Sequence, residues 1–279
     1  MANSSPGHRA GRPRLVVDER RSPIEDRSDP EIDHLLAELL ARVRTILKHE
    51  FVGMYLYGSL ATGGFQTGRS DIDFVVVTTG SLSRRVIRSL ELMHEDLWQS
   101  GGHWAGKLEG AYVPAGVLRR HQPDGPDVPT VNEGRFYLSP LGADWVIQRL
   151  VLRRSPTVLA GPPPGDLVDP VDLESVRAAV RAVLREWWAP MLADPSPLKR
   201  PGYQPFAVLS MCRALHTLET GEVGSKTQAA RWALHTLPGE WSTLIHRALA
   251  WRDGQPIDSI ERTLEFMRVA IGRALSRDA

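Results

Sequence analysis

Three scarcities bound what this chain can be. It has one cysteine, Cys212, which excludes an internal disulfide and any zinc site built from thiolates, and which suits a reducing compartment. No apolar run approaches the ~18 residues that a membrane-spanning helix requires, so no membrane partner is expected. Charge of one sign is also missing: 34 Lys and Arg stand against 33 Asp and Glu, for a formal net charge of +1. That leaves little positive field for a nucleic-acid backbone, and no nucleic-acid partner is expected. Lysine is scarcest of the charged residues, present only as Lys48, Lys107, Lys199 and Lys226. That rarity makes Lys226 a better functional candidate than any surface arginine.

What remains is ordinary globular material, 42% hydrophobic and 24% charged over 279 residues, enough for two modest domains each with a core of its own. Residues 1–30 are rich in Pro, Ser, Gly and Arg without a periodic apolar face and read as a mobile tail. They also lack the apolar centre of a secretory signal, and a cytoplasmic location is expected. From Ile32 to Leu47 the apolar positions recur at helical spacing, with Asp29 or Asp33 as the cap. A strand over Val52–Tyr57, a Gly58-Ser59 turn, a strand over Ile72–Thr79, a helix over Leu82–Trp98 and a strand over Lys107–Val113 follow. The three prolines between Gln122 and Thr130 exclude regular structure there. A helix over Gly142–Leu152 and a short strand over Thr157–Ala160 lead to Gly161-Pro162-Pro163-Pro164-Gly165, a stiff stretch suited to a junction. Helical patterns dominate beyond it. The fold class expected is an α/β (α+β) domain with a mixed sheet over 31–165, followed by an all-α helical bundle over 166–279.

The informative stretch is Tyr57 to Thr78, YGSLATGGFQTGRSDIDFVVVT. Side chains alternate across a strand, so Asp71 and Asp73 share one face while Ile72 and Phe74 take the other. Two carboxylates that close resist joint ionisation unless a positive charge lies between them. Mg²⁺, a hard cation that takes one or two carboxylates and completes its shell with water and substrate phosphates, is the natural filler. Gly58-Ser59 lets the backbone approach a phosphate, and a following helix start would offer amide groups to it. Glu109 is the candidate third carboxylate, because a charge inside the third strand is otherwise costly.

A strand, Gly58-Ser59, and Asp71-Ile72-Asp73-Phe74 at this spacing resemble the nucleotidyltransferase superfamily that includes polymerase beta. Leu209 to Gly254, notably Arg213, Thr220-Gly221, Lys226, Trp232-Ala233 and Leu237-Pro238, is similar to the C-terminal helical domain of the aminoglycoside adenylyltransferases that modify streptomycin and spectinomycin. The resemblance covers roughly 31–275. It implies an adenylyltransferase with ATP and two Mg²⁺ ions in a cleft between the domains. Asp71, Asp73 and Glu109 would hold metal, with Glu109 also the base toward an acceptor hydroxyl. Gly58, Ser59, Ser70, Arg213 and Lys226 would bind the triphosphate, and Trp187 or Trp188 would lie toward the drug. The expected partner is a small-molecule acceptor, and a monomer is favoured. A protein acceptor and a nucleotide-binding regulator without turnover stay open as alternatives. One departure stands out. The turn Leu198–Pro205 carries Lys199 and Arg200 and no acid, where an aminoglycoside pocket calls for carboxylates.

Overall fold

The computed structural model describes residues 29–61, 65, 70–100, 102–122, 124–252, 255 and 259–276. The tail expected over 1–30 therefore falls almost wholly outside the described residues. Helix α1 (Pro30–Leu47) is capped by Asp29, whose carboxylate accepts the Glu31 amide at 3.0 Å, with Pro30 at its first position. Its stripe Ile32, Leu36, Leu39, Val43 and Leu47 is buried, as the spacing predicts. After it come β1 (Phe51–Leu56), the single turn α2 (Gly58–Ala61), β2 (Ile72–Thr78), α3 (Arg84–Gln99), β3 (Leu108–Pro114), α4 (Ala115–Arg119), β4 (Val128–Asn132), β5 (Arg135–Ser139), α5 (Asp144–Arg154) and β6 (Thr157–Ala160).

The strands form one mixed sheet in the order β5-β4-β3-β2-β1-β6. Only β2 and β3 run parallel, and α3 is the crossover that parallel neighbours need. Both strands consequently begin at the same end of the sheet. Antiparallel β1 ends there too, since Leu56 lies opposite Phe74. One face of the sheet, with Met54, Leu56, Ile72, Phe74, Val76 and Tyr112, packs under α1 and α3. The other, with Tyr55, Val75, Val77, Ala111 and Val113, packs against Leu118, Trp145 and Leu152 of α4 and α5.

The hairpin β4–β5 corrects the expectation that Gln122 to Thr130 is irregular. Pro129 lies opposite Leu138 of β5, whereas the pairing of β4 with β3 involves Thr130 and Val131. The missing proline amide thus falls where β4 has a neighbour on one side only. Glu133 and Gly134 close the hairpin with φ 48 and 67, the mirror-image turn whose twist matches its strands.

The proline-rich junction is fastened to the sheet: the Tyr55 hydroxyl donates to the Pro162 carbonyl at 2.8 Å, and Pro164 starts the single turn α6 (Pro164–Leu167). Leu167 and Val168 still pack with the sheet, and the helical core begins at Val180. Helix α7 (Leu173–Val183) runs into a π-helical turn at Leu184–Trp188, followed by α8 (Tyr203–Thr220), α9 (Lys226–Thr236), α10 (Ser242–Ala250) and α11 (Ile260–Leu275). At the centre lies α8, buried from Ala207 through Cys212 and packed on α9, α10 and α11. Among the described residues no helix is long and apolar enough to cross a membrane.

Candidate active site

The site begins with a glycine. Gly58 has φ 64, and a Cβ placed on it would lie 1.9 Å from Asp73 Oδ2. No other residue fits without displacing that carboxylate, whatever its backbone preference. Beside it the Ser59 amide donates to the Asp73 carboxylate, and the Tyr57 amide donates to the Asp73 carbonyl at 3.1 Å. Two amides just past the end of β1 therefore hold Asp73 at the start of β2, one by its carbonyl and one by its carboxylate. The helix expected after Gly58-Ser59 is only the four residues of α2, so its amides, rather than a long helix dipole, are what it offers an anion.

Parallel register then places Asp73 directly opposite Glu109 on the same face. Asp71 lies two residues back on that face, with its carboxylate 3.6 Å from Lys107 Nζ. Burial first, and then the charge of Asp71, pushes the Asp73 carboxyl up to about 7, against the pull of Lys226, Arg213 and the Ser59 amide. Burial, Asp71 and Asp73 push Glu109 up to about 8. Like charges in a confined space resist shared ionisation, so near neutral pH the pair does not carry two full charges unless a cation joins it.

The cations come from the helical domain. Arg213 is exposed on a helix whose preceding six residues are all buried, and Tyr203 and Phe206 lie near the same stripe of α8. Lys226 is the first residue of α9, fixed by a capping box in which Ser225 and Gln228 satisfy each other's amides. Its ammonium sits 4.3 Å from the centre of the Phe206 ring. Burial and the neighbouring Arg213 pull Lys226 down to about 8, while Asp73, Asp71 and Glu109 pull the other way. Burial likewise lowers Arg213, opposed by Asp73. Solvent area and crowding differ here: Asp73, Glu109 and Lys226 are half-buried and Arg213 is open by area, yet protein surrounds all four. The four groups thus meet between the domains where solvent still reaches them, and desolvation acts there more weakly than in a dry core.

The structure thus brings Gly58, Ser59, Asp71, Asp73, Glu109, Arg213 and Lys226 to one place, with Ser70 half-buried just before Asp71. No three carboxylate or imidazole groups among the described residues converge tightly enough to form a ready cage for a metal, because Asp71 is turned to Lys107. The donor set nonetheless fits Mg²⁺: a hard oxygen pair at Asp73 and Glu109, each carrying a raised pKa that a divalent cation would relieve, with room left for phosphate oxygens.

Two tryptophans take their places plainly. Trp188 is 4% exposed and packs on Phe206 at 5.3 Å between ring centres, so it is core, whereas Trp187 is 54% exposed. Trp251 is buried against Gly202, and its indole N–H donates to the Gln255 carbonyl. Sequence reasoning missed Glu133, Phe206, Tyr203 and Lys107. Glu133 adds to the upward push on both Glu109 and Tyr203. Its one visible sign was Glu-Gly between two β-forming runs, a hairpin signal that the prolines obscured.

Comparison with known proteins agrees with this geometry. Residues 38–103 match the nucleotidyltransferase domain family, and residues 166–276 match the family described as aminoglycoside adenylyltransferase, C-terminal domain. An aminoglycoside (3'') (9) adenylyltransferase of Shigella flexneri is 23% identical over 278 residues, covering 88% of this chain and 97% of that protein. A spectinomycin 9-adenylyltransferase of Staphylococcus aureus is 25% identical over 244 residues, covering 83% and 89%. In fold, the chain is similar to the crystal structure of spectinomycin adenyltransferase AAD(9) from Enterococcus faecialis with ATP and spectinomycin. The TM-score is 0.70 at 18% identity, over 86% of this chain and 99% of that one.

Proposed function

From a chain that joins a nucleotidyltransferase domain to the C-terminal domain of the aminoglycoside adenylyltransferases, and so belongs to that family of nucleotidyltransferases, we propose an adenylyltransferase. It transfers AMP from ATP to a hydroxyl of an aminoglycoside or aminocyclitol antibiotic and releases pyrophosphate. The observation that carries this reading is the facing of Asp73 and Glu109 across β2 and β3, with Arg213 and Lys226 reaching them from the second domain.

Each residue has a part that follows from its surroundings. Asp71, Asp73 and Glu109 would hold Mg²⁺, two ions in the full complex, with Asp71 turning from Lys107 to do so; the ions would supply charge neutralisation on the triphosphate and on the oxygens around the reacting phosphorus. Gly58 lets the backbone close on the Asp73 carboxylate, and the Ser59 and Ser70 hydroxyls would be donors to phosphate beside it. Arg213 and Lys226 neutralise phosphate oxygens from the opposite wall, the arginine as a planar fork and the lysine as a point charge. Phe206 fixes where that point charge sits. Glu109 takes the proton of the acceptor hydroxyl as its oxygen forms a bond to the α-phosphorus and the bond to pyrophosphate breaks. A carboxyl held near 8 is a poor base while protonated. Lys226 beside it favours its ionised form, as a divalent cation at the site would.

The product identifies the reaction. Incubation with ATP, Mg²⁺ and either spectinomycin or streptomycin should give a drug heavier by one adenylyl group, read by mass spectrometry, with one pyrophosphate per drug modified. Pyrophosphate formation with unmodified drug, or label on the protein instead, contradicts the acceptor class.

A further inference from the structure

The acid-free turn Leu198–Pro205 poses the question of where a cationic acceptor finds a counter-charge. Asp194, just upstream, is already engaged, accepting from the Ser196 amide at 3.1 Å and its hydroxyl at 2.6 Å. Arg200 instead reaches across to the first domain, with Nη1 3.6 Å from Glu133 Oε2. The same guanidinium lies 6.0 Å over the ring of Tyr203, the first residue of α8. Glu133 stands at the tip of the β4–β5 hairpin, in a left-handed conformation that the Gly134 beside it shares. This hairpin hangs from β3, whose first residues carry Glu109.

We propose that Glu133 is a specificity-determining residue, the carboxylate that takes an ammonium group of the acceptor, and that Arg200 is a built-in cation occupying its place until the acceptor displaces it. This rests on the adenylyl-transfer reading above. Three features support it. The carboxylate is close enough to act electrostatically on both Glu109 and Tyr203, so the hairpin tip and the start of α8 border the same cleft as the base. Both partners are more than half exposed, 59% and 53%, and an exposed ion pair at 3.6 Å contributes little, so exchanging one cation for another is cheap. Lys199 and Arg200 on the facing turn repel additional positive charge. The acceptor class that results is a hydroxylated ring compound with few ammonium groups, rather than a polycation.

The test is steady-state pyrophosphate release by the full chain with ATP and Mg²⁺, using spectinomycin and the more highly charged kanamycin. Glu133→Gln, which keeps side-chain shape, should raise the spectinomycin KM about fivefold, the scale of an exposed pair, with the ATP KM unchanged. Arg200→Gln should lower the spectinomycin KM, and the double variant should behave as Glu133→Gln alone. Added salt should raise the acceptor KM of the wild type and leave that of Glu133→Gln nearly flat. An unchanged acceptor KM in Glu133→Gln overturns the proposal, as does an ATP KM that rises in parallel, the mark of a hairpin merely damaged. Turnover confined to uncharged acceptors overturns it while leaving adenylyl transfer in place. No pyrophosphate with any acceptor removes the transfer reading and this proposal together.

Discussion

At the scale of single residues, the site is made by groups set against their own stability. Asp73 and Glu109 have carboxyls pushed up to about 7 and about 8. For an acid raised in the folded state, both states are protonated at low pH and the group contributes nothing. Above the folded pKa, its ionised form is disfavoured by folding and destabilises the protein. Asp73→Asn and Glu109→Gln should therefore raise the melting temperature of the nucleotide-free chain at pH 8 and leave it nearly unchanged at pH 4. Thermal melts across that range check this, and a gain at pH 4 as large as at pH 8 would point to a packing effect instead. Loss of function with gain of stability is what a strained charge cluster predicts.

Among the elements, the buried pair linking α3 to β3 carries a pH dependence of its own. His94 is fully buried and hydrogen-bonds the Tyr112 hydroxyl at 2.8 Å among Phe74, Trp98 and Phe136. Burial lowers its pKa from 6.5 to about 3. The folded chain keeps this imidazole neutral while the unfolded chain protonates it below 6.5, so its contribution is whole above that pH. Stability should fall by about 1.4 kcal/mol per pH unit as pH drops from 6.5 toward 3. Urea unfolding of wild type and His94→Gln over this window should show a slope steeper in the wild type; parallel slopes would remove His94 as the cause.

Elements also show what could be read beforehand. The face shared by Asp71 and Asp73 follows from the period of a strand, and Glu109 from its place inside an apolar run, so both were legible in local pattern. The opposition of Asp73 and Glu109 was not, because it depends on the register between β2 and β3, which no local pattern states. The β4–β5 hairpin was hidden by Pro129, harmless there only because one neighbour is missing at that position. Beyond the junction, where helical patterns were expected, α7 ends in a π-helical turn, which exposes Trp187 and buries Trp188 in a way that periodicity alone does not separate.

At the scale of the whole molecule, the proposed function depends on two domains meeting. The sheet supplies Asp73 and Glu109 and the helices supply Arg213 and Lys226, so these four charges come together only where the halves meet. Arg213 was suggested by resemblance and Lys226 also by the rarity of lysine, yet their approach to Asp73 is a tertiary fact. Glu133 and Arg200 show the same point from the other side, since each is unremarkable within its own segment and the pair exists only across the cleft.

The central claim, that Glu109 is the base of a nucleotidyl transfer whose nucleotide is held by its neighbours, is tested most directly by Glu109→Gln. Pyrophosphate release with spectinomycin and calorimetric binding of ATP with Mg²⁺ would be measured side by side in wild type and variant. The account predicts a rate lower by at least about a hundredfold, the usual worth of a general base, with ATP binding retained. A rate within a few-fold of wild type, or loss of ATP binding equal to the loss of rate, would contradict it.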